Sequence, residues 1–233
     1  MVNRREQRRA DQRAGILEVA RRLFAEHGPE EVTMAEVAAE SGVARATVFN
    51  YFGSKHALIE GITEDVLEYY RVILDNALAD VETPTPALLR AMFQGMGRGI
   101  EEDARFHRNM FREIAKIRLG LDEGSSAQRA AKQALAQLVK LLARGQERGE
   151  LSAEHRPEDL ASAFDSLVNG TVTHWLYDDA SEPLHERMAR VAEVFLGQVA
   201  TNPKTRYRGR APELAEPRHR AALRTPRKTR RKR

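Results

Sequence analysis

The sequence predicts an all-α protein of about nine helices in two parts: a three-helix amino-terminal unit built on a helix-turn-helix, and a larger helical carboxy-terminal domain. Three observations predict it. Apolar residues recur at i, i+3 and i+4 through most of the 233 residues. No window alternates apolar and polar residues as a half-buried strand would. Residues 33–55, TMAEVAAESGVARATVFNYFGSK, hold a helix start, a glycine turn, a second short helix and a glycine stop.

Residues 1–10 carry Arg4, Arg5, Arg8 and Arg9 and no apolar stripe to bury, so they are expected to be a flexible basic arm. It reads either as a solvated tail or as an extension along phosphates or into a minor groove. Ile16, Leu17, Ala20, Leu23 and Phe24 then keep helical spacing until Gly28 and Pro29 supply a stop. Thr33 is placed to cap the next helix at Met34, with Glu36 reaching back three residues later, and Gly42 turns the chain. The following helix, from about 44 or 45 to 51, points Val43, Val48 and Phe52 inward. Gly53 ends it and Ser54 caps its successor. These signals set the amino-terminal domain at residues 11–56.

A long helix follows Lys55, carrying Leu58, Ile59, Ile62, Val66, Tyr69, Ile73 and Leu74 until the TPTP of residues 83–86. Residues 87–100 form another, weakened by Gly95, Gly97 and Gly99, each by up to about 1 kcal/mol relative to Ala; such looseness needs tertiary support or a use. Phe106, Met110, Phe111, Ile114 and Ile117 mark a helix ending near Gly120, and residues 125–148 a long one. Pro157 opens the penultimate helix, with Glu158 and Asp159 at its positive end. Its stripe is Ala161, Phe164, Leu167, Val168, Thr171, Val172 and Trp175. The last helix, about 184–200, carries Met188, Val191, Ala192, Phe195, Leu196 and Val199. The second domain therefore spans 57–202. Residues 203–233, rich in Pro, Ala and Arg, are expected to be a disordered basic tail.

Charge is divided unevenly. The tail holds 13 Lys and Arg against 2 Glu, and the other 202 residues hold 25 against 32, or −7. The overall +4 is thus no argument that the folded body attracts nucleic acid. The tail itself reads as a nonspecific DNA tether or as a solubilising extension. There is no cysteine, which excludes disulfides, thiol redox sensing and cysteine-ligated metals. The seven histidines show no HExxH spacing, and no GxSxG, P-loop or dinucleotide fingerprint occurs, so neither an enzyme, a metal site nor a cofactor is expected. His174, beside Trp175 and Tyr177, reads as a pocket residue or as an interface residue. No apolar run approaches the roughly twenty residues of a membrane span. A soluble, cytoplasmic protein without a membrane partner is the expectation.

The second short helix leaves Arg45, Ala46, Thr47, Asn50 and Tyr51 for another surface. Its start is small, which lets a helix approach a major groove closely enough for Arg to reach a guanine edge or Asn an adenine edge. Lys55 follows at a helix start where amides and a cation suit a phosphate. A merely solvated helical hairpin is the bland alternative. Thr33, Gly42, Thr47, Phe49, Tyr51, Phe52, Lys55 and Leu58 stand at spacings that resemble the tetracycline-repressor (TetR) family of bacterial transcriptional regulators. The match covers about the first sixty residues well.

The resemblance implies that Thr33 contacts a phosphate, that Arg45 and Ala46 face bases, and that Thr47, Tyr51 and Lys55 hold the backbone. Phe49 stands where the family usually has Tyr; it cannot donate to a phosphate, but its ring can pack on a thymine methyl. Leu167, Asn169, Gly170 and Trp175 resemble the family's dimerisation helix. A homodimer is expected to join through Phe164, Leu167, Val168, Thr171, Trp175, Val191 and Phe195 in a four-helix bundle; the stripe also fits an intramolecular core. An apolar small-molecule effector is expected among Met92, Phe93, Met96, Phe106, Met110 and Phe111, residues that are more often plain core. The expected function is repression from a palindromic double-stranded operator, relieved by the effector. A ligand-independent, nucleoid-type DNA binder using the basic tail is the alternative.

Overall fold

The computed structural model describes residues 4–118, 124–178 and 182–201. Among them are nine helices: α1 (Arg4–His27), α2 (Met34–Glu40), α3 (Arg45–Phe52), α4 (Lys55–Ala79), α5 (Thr85–Glu101), α6 (Ala104–Arg118), α7 (Ser126–Glu147), α8 (Pro157–Tyr177) and α9 (Leu184–Val199). The basic tail of residues 203–233 lies outside the described residues.

The helix ends follow local chemistry. The Thr33 side chain accepts from the Glu36 amide, and the Glu36 carboxylate accepts from the Thr33 amide at 2.7 Å, which closes the capping box. Ser54 and Ser125 cap α4 and α7 through their hydroxyls. Gly42 and Gly53 both take the left-handed conformation, at φ of 66° and 69°, on either side of α3. Each turns the chain where a side chain would strain it. The arm expected to be flexible over residues 1–10 is instead helical from Arg4, continuing α1.

Two large cores form, beside a small cluster of Leu67, Ala127 and Ala130, and they do not divide at residue 56. The first joins Ile16, Leu17, Phe24, Val37, Val48 and Phe52 to Leu58, Ile59 and Ile62 of α4 and to Phe106 and Met110 of α6. The second gathers Ile73 and Leu74 of α4 with Leu88, Phe93, Leu141, Leu142, Phe164, Phe195 and their neighbours. At its centre Phe93, Phe164 and Phe195 meet, with Phe93 and Phe164 ring centroids 4.4 Å apart. The α4 helix is therefore shared, its first turns in one core and its later turns in the other.

Polar ties fasten helix ends to their neighbours. Arg144 of α7 donates to the Leu78 and Ala77 carbonyls, at 2.9 and 3.2 Å, and so satisfies the last turn of α4. The end of α9 returns to the α7–α8 loop, where the Ser152 amide donates to Val199 at 2.7 Å and Leu151 pairs with Ala200 in an isolated antiparallel bridge.

Gly97 finds its use here. A Cβ placed on it would lie 2.6 Å from His185 Cα, so α5 and α9 touch through backbone. Gly15, by contrast, has nothing within 4 Å of such an atom and sits exposed in α1. Gly97→Ala is expected to lower stability by about 1–3 kcal/mol through overpacking. Gly15→Ala should raise it, by up to about 1 kcal/mol of helix propensity. Thermal unfolding of the two variants checks the opposite signs.

Candidate nucleic-acid interface

The short α3 is held from beneath by Val48, fully buried, and Phe52, with Val43 partly buried in the turn before it. That anchoring turns the opposite face outward. Arg45, Ala46, Phe49 and Asn50 are exposed, and Thr47 and Tyr51 are half-buried at its edges. The Arg45 guanidinium carbon lies 5.4 Å from the Phe49 ring centroid, one turn away, so the two stand together on the surface as a cation-π pair. Ala44, at the cap position, offers no side-chain acceptor to the first amides of α3. Thr33 is exposed at the start of α2, its hydroxyl donating to Glu36 at 2.8 Å.

Two expected residues prove to be engaged inside the domain. Lys55 Nζ donates to the Glu30 and Val32 carbonyls, at 2.9 and 3.2 Å, and fixes the α1–α2 loop. An ammonium has three donors, so one remains for an outside acceptor. The Tyr51 hydroxyl donates to Gln12 Oε1 of α1 at 3.0 Å, and Arg9 stands over the Tyr51 ring with its guanidinium carbon 6.0 Å from the centroid. Arg13 lies over Phe52 in the same way, at 5.3 Å. Of these α1 residues Arg9 was named from sequence as part of the basic arm, whereas Gln12 and Arg13 were not singled out. Their one signal there was the regular spacing of the arginines, which is intelligible once the arm is known to be helical.

A cavity of about 270 Å³ opens between α4, α5, α7 and α8. Leu67, Tyr70, Ile73 and Leu74 form its α4 wall, Met92 and Met96 its α5 wall, and Leu135, Leu138, Phe164 and Val168 are the large apolar residues of the rest. Gln128, Lys132 and Asp165 supply polar groups, with Lys132 and Leu135 exposed at the surface side. Of the six residues expected here, only Met92 and Met96 line it. Phe93 is buried behind the wall against Phe164. Phe106 and Met110 belong to the other core, because their face of α6 is turned onto α1. Phe111 meets Tyr177 edge to face, 5.4 Å away. The α4 residues form an ordinary helical stripe in the sequence, and nothing local distinguishes a lining position from a packed one.

The expected dimer residues also divide. Phe164, Val168 and Phe195 are buried in the chain's own core and cannot form a surface. Trp175 is partly buried there and donates to the Glu182 carbonyl at 3.0 Å. Leu167, Thr171 and Val191 instead line an open groove between α8 and α9, with Ser166, Gly170, His174 and Arg187. Val194, on the adjoining turn of α9, is 64% exposed.

No cluster of metal-ligating side chains occurs among the described residues, and none of their helices is long and apolar enough to cross a membrane. A helix-turn-helix unit packed against a cavity-bearing helical domain is the architecture of a DNA-binding transcriptional regulator of the helix-turn-helix class. Residues 16–62 match the family model described as bacterial regulatory proteins, tetR family. The curated regulator TtgR of Pseudomonas putida is 24% identical over 181 residues, 76% of this chain and 85% of the relative. SmeT, the repressor of the Stenotrophomonas maltophilia multidrug efflux pump SmeDEF, superposes with a TM-score of 0.67 over 86% of this chain and 96% of that one, at 24% identity. The Thermus thermophilus repressor FadR, solved with lauroyl-CoA, gives 0.57 over 86% and 98%, at 22% identity. Residues 16–62 thus match the TetR family's amino-terminal domain, and the fold of the chain is similar to that of TetR-family transcriptional regulators.

The capping box carries a pH dependence. Donation from the Thr33 amide and hydroxyl holds the Glu36 carboxyl below its ordinary value. Its contribution to α2 is therefore complete above the unfolded carboxylate pKa and is lost as pH falls through the lower folded value. The stability difference between wild type and Glu36→Ala is expected to be largest near neutrality and to shrink in acid. Unfolding curves recorded from about pH 7 to about pH 3 test this.

Proposed function

We propose that the chain is a homodimeric repressor that binds a palindromic operator in the cytoplasm and leaves it when an apolar effector fills the cavity. The observation that carries this reading is the continuity of α4. Leu58, Ile59 and Ile62 sit in the core beneath the helix-turn-helix, while Leu67, Tyr70, Ile73 and Leu74 of the same unbroken helix wall the cavity. A molecule entering between α4 and α7 changes the position of a rod whose other end carries the reader.

In this reading Arg45, Ala46 and Asn50 face base edges, Phe49 packs on a thymine methyl, and Thr33, Thr47, Tyr51 and Lys55 meet phosphates. Two copies join through the α8–α9 groove, with Leu167, Gly170, Thr171, Val191 and Val194 at the contact, which sets two α3 helices on half-sites about 34–36 Å apart. A small rigid-body change spoils that spacing. The effector takes an apolar body, as the lining asks, with a polar end at the mouth beside Lys132. The Thermus FadR repressor, whose fold is similar, was solved in complex with lauroyl-CoA, a ligand that joins an apolar chain to a polar end.

A duplex selected from a random pool by the full chain should bind at least a thousandfold more tightly than scrambled DNA, and a single half-site should bind far more weakly than the palindrome. Arg45→Ala should cost about 1–3 kcal/mol and relax the preference at one base pair per half-site. Equal binding of half-site and palindrome in a gel shift would overturn the dimer. A preference well under a thousandfold would favour the general DNA-coating alternative.

The groove and the cavity are separable. Leu167→Glu with Val194→Glu is expected to give a folded monomer by sedimentation that has lost the palindrome. Met92→Trp, which fills the cavity, should retain operator binding yet no longer release on addition of the ligand that releases wild type.

A further inference from the structure

The first two turns of α1 extend beyond the core that they lead into. Residues 4 to 10 are all exposed, and the first buried residue of the helix is Ile16. Arg4, Arg5, Arg8 and Arg9 follow the spacing i, i+1, i+4, i+5, which at 3.6 residues per turn gathers them in one arc of the helix surface. Gln12 falls in the middle of that arc. It is the residue whose side chain accepts from the Tyr51 hydroxyl, and Arg9, at the edge of the arc, stands over the Tyr51 ring. The basic arc is thus continuous with the exposed face of α3. Glu6, three residues before Arg9, and Asp11, three after Arg8, flank the arc at its two edges, Asp11 accepting from Gln7 Nε2 at 2.9 Å, so four arginines against two carboxylates leave this stretch with a positive surplus.

We infer that these two turns form a rigid phosphate rail, which takes the DNA backbone flanking each half-site and adds affinity without reading sequence. The inference rests on α3 entering a major groove, as proposed above. A helix is about 10–12 Å wide with its side chains, and a minor groove is about 6 Å wide. An extended arm threads such a groove, whereas a helical arm lies across its phosphate rims. From Gln12 to Arg4 the rail reaches about 12 Å along its axis, and duplex DNA presents one charge per about 1.7 Å. The arginines therefore face several phosphates from one rigid support, with little chain entropy left to lose.

The test compares the full chain with two triple variants, Arg4→Gln/Arg5→Gln/Arg8→Gln and the same three positions changed to Lys. Arg9 stays in place because it supports Tyr51. Affinity is measured against salt on two probes: a random-sequence duplex, and a duplex selected from a random pool by the wild-type chain. The Gln variant is expected to bind both probes about tenfold more weakly, with an unchanged ratio between them. Its log affinity against log salt should be shallower by about 0.9 for each phosphate that the variant no longer neutralises. The Lys variant should behave as wild type, because phosphates require charge and not a guanidinium fork. An unchanged slope in the Gln variant, a loss confined to the selected duplex, or a Lys variant as weak as the Gln variant would each overturn the rail. Failure of the underlying reading looks different: the wild-type chain itself would show no preference for the selected duplex.

Discussion

One helix has to satisfy two cores at once, and the rest of the architecture is arranged around that constraint. α4 is 25 residues long, about 37 Å at 1.5 Å per residue. Its beginning is fixed by the Ser54 cap and by Leu58, Ile59 and Ile62, packed under the helix-turn-helix. Its end is fixed by Ile73, Leu74 and Ala77 in the second core and by Arg144 on its final carbonyls. A helix so fastened moves as a unit, because a bend within it would break backbone hydrogen bonds that no neighbouring group replaces.

α6 is a second link, and its bonds point both ways. Phe106 and Met110 enter the first core, and Asn109 donates to the Phe24 and Ala25 carbonyls at the end of α1, both at 3.1 Å. Arg21 of α1 reaches back, pairing with Asp103 at 2.6 Å with its guanidinium 3.7 Å over the Phe106 ring. On the other side Arg108 donates to the Leu176 carbonyl near the end of α8 at 2.9 Å. Helix-terminal carbonyls lack intrahelical donors, so these side chains supplement the ends of α1 and α8, where the Phe24 carbonyl also accepts from the Gly28 amide at 2.9 Å. Displacement of α8 against α1 has to strain this bracket. The helix that carries the groove and the helix that supports the reader are thereby coupled through named polar contacts as well as through α4.

The short helices were legible in the sequence because their signals are local. Thr33 with Glu36, Gly42, Gly53, Ser54 and Pro157 each act within four residues, and every one stands at the end it was expected to mark. The outward face of α3 was legible for the same reason: once Val48 and Phe52 turn inward on an eight-residue helix, the remaining positions have nowhere else to go. The cavity was not legible. Met92 lines it and Phe93, its neighbour, is sealed behind it, although both are large, apolar and on one helix. Phe106 and Met110 joined the other core because of the angle at which α6 crosses α1, and no window of sequence encodes that angle.

The sequence by itself determined the all-helical class, the order of the helices and the ends that carry caps or glycine stops, the helix-turn-helix and the surface that it shows. Those properties follow from periodicity and capping, whose physical range is a turn or two of helix. Tertiary structure alone decided that Tyr51 is held by Gln12, that Lys55 locks the α1–α2 loop, that the basic arm continues as helix beside α3, and which apolar residues surround empty space. These depend on contacts between residues tens of positions apart, formed where helices cross, and the packing that sets them is shared among all nine described helices at once.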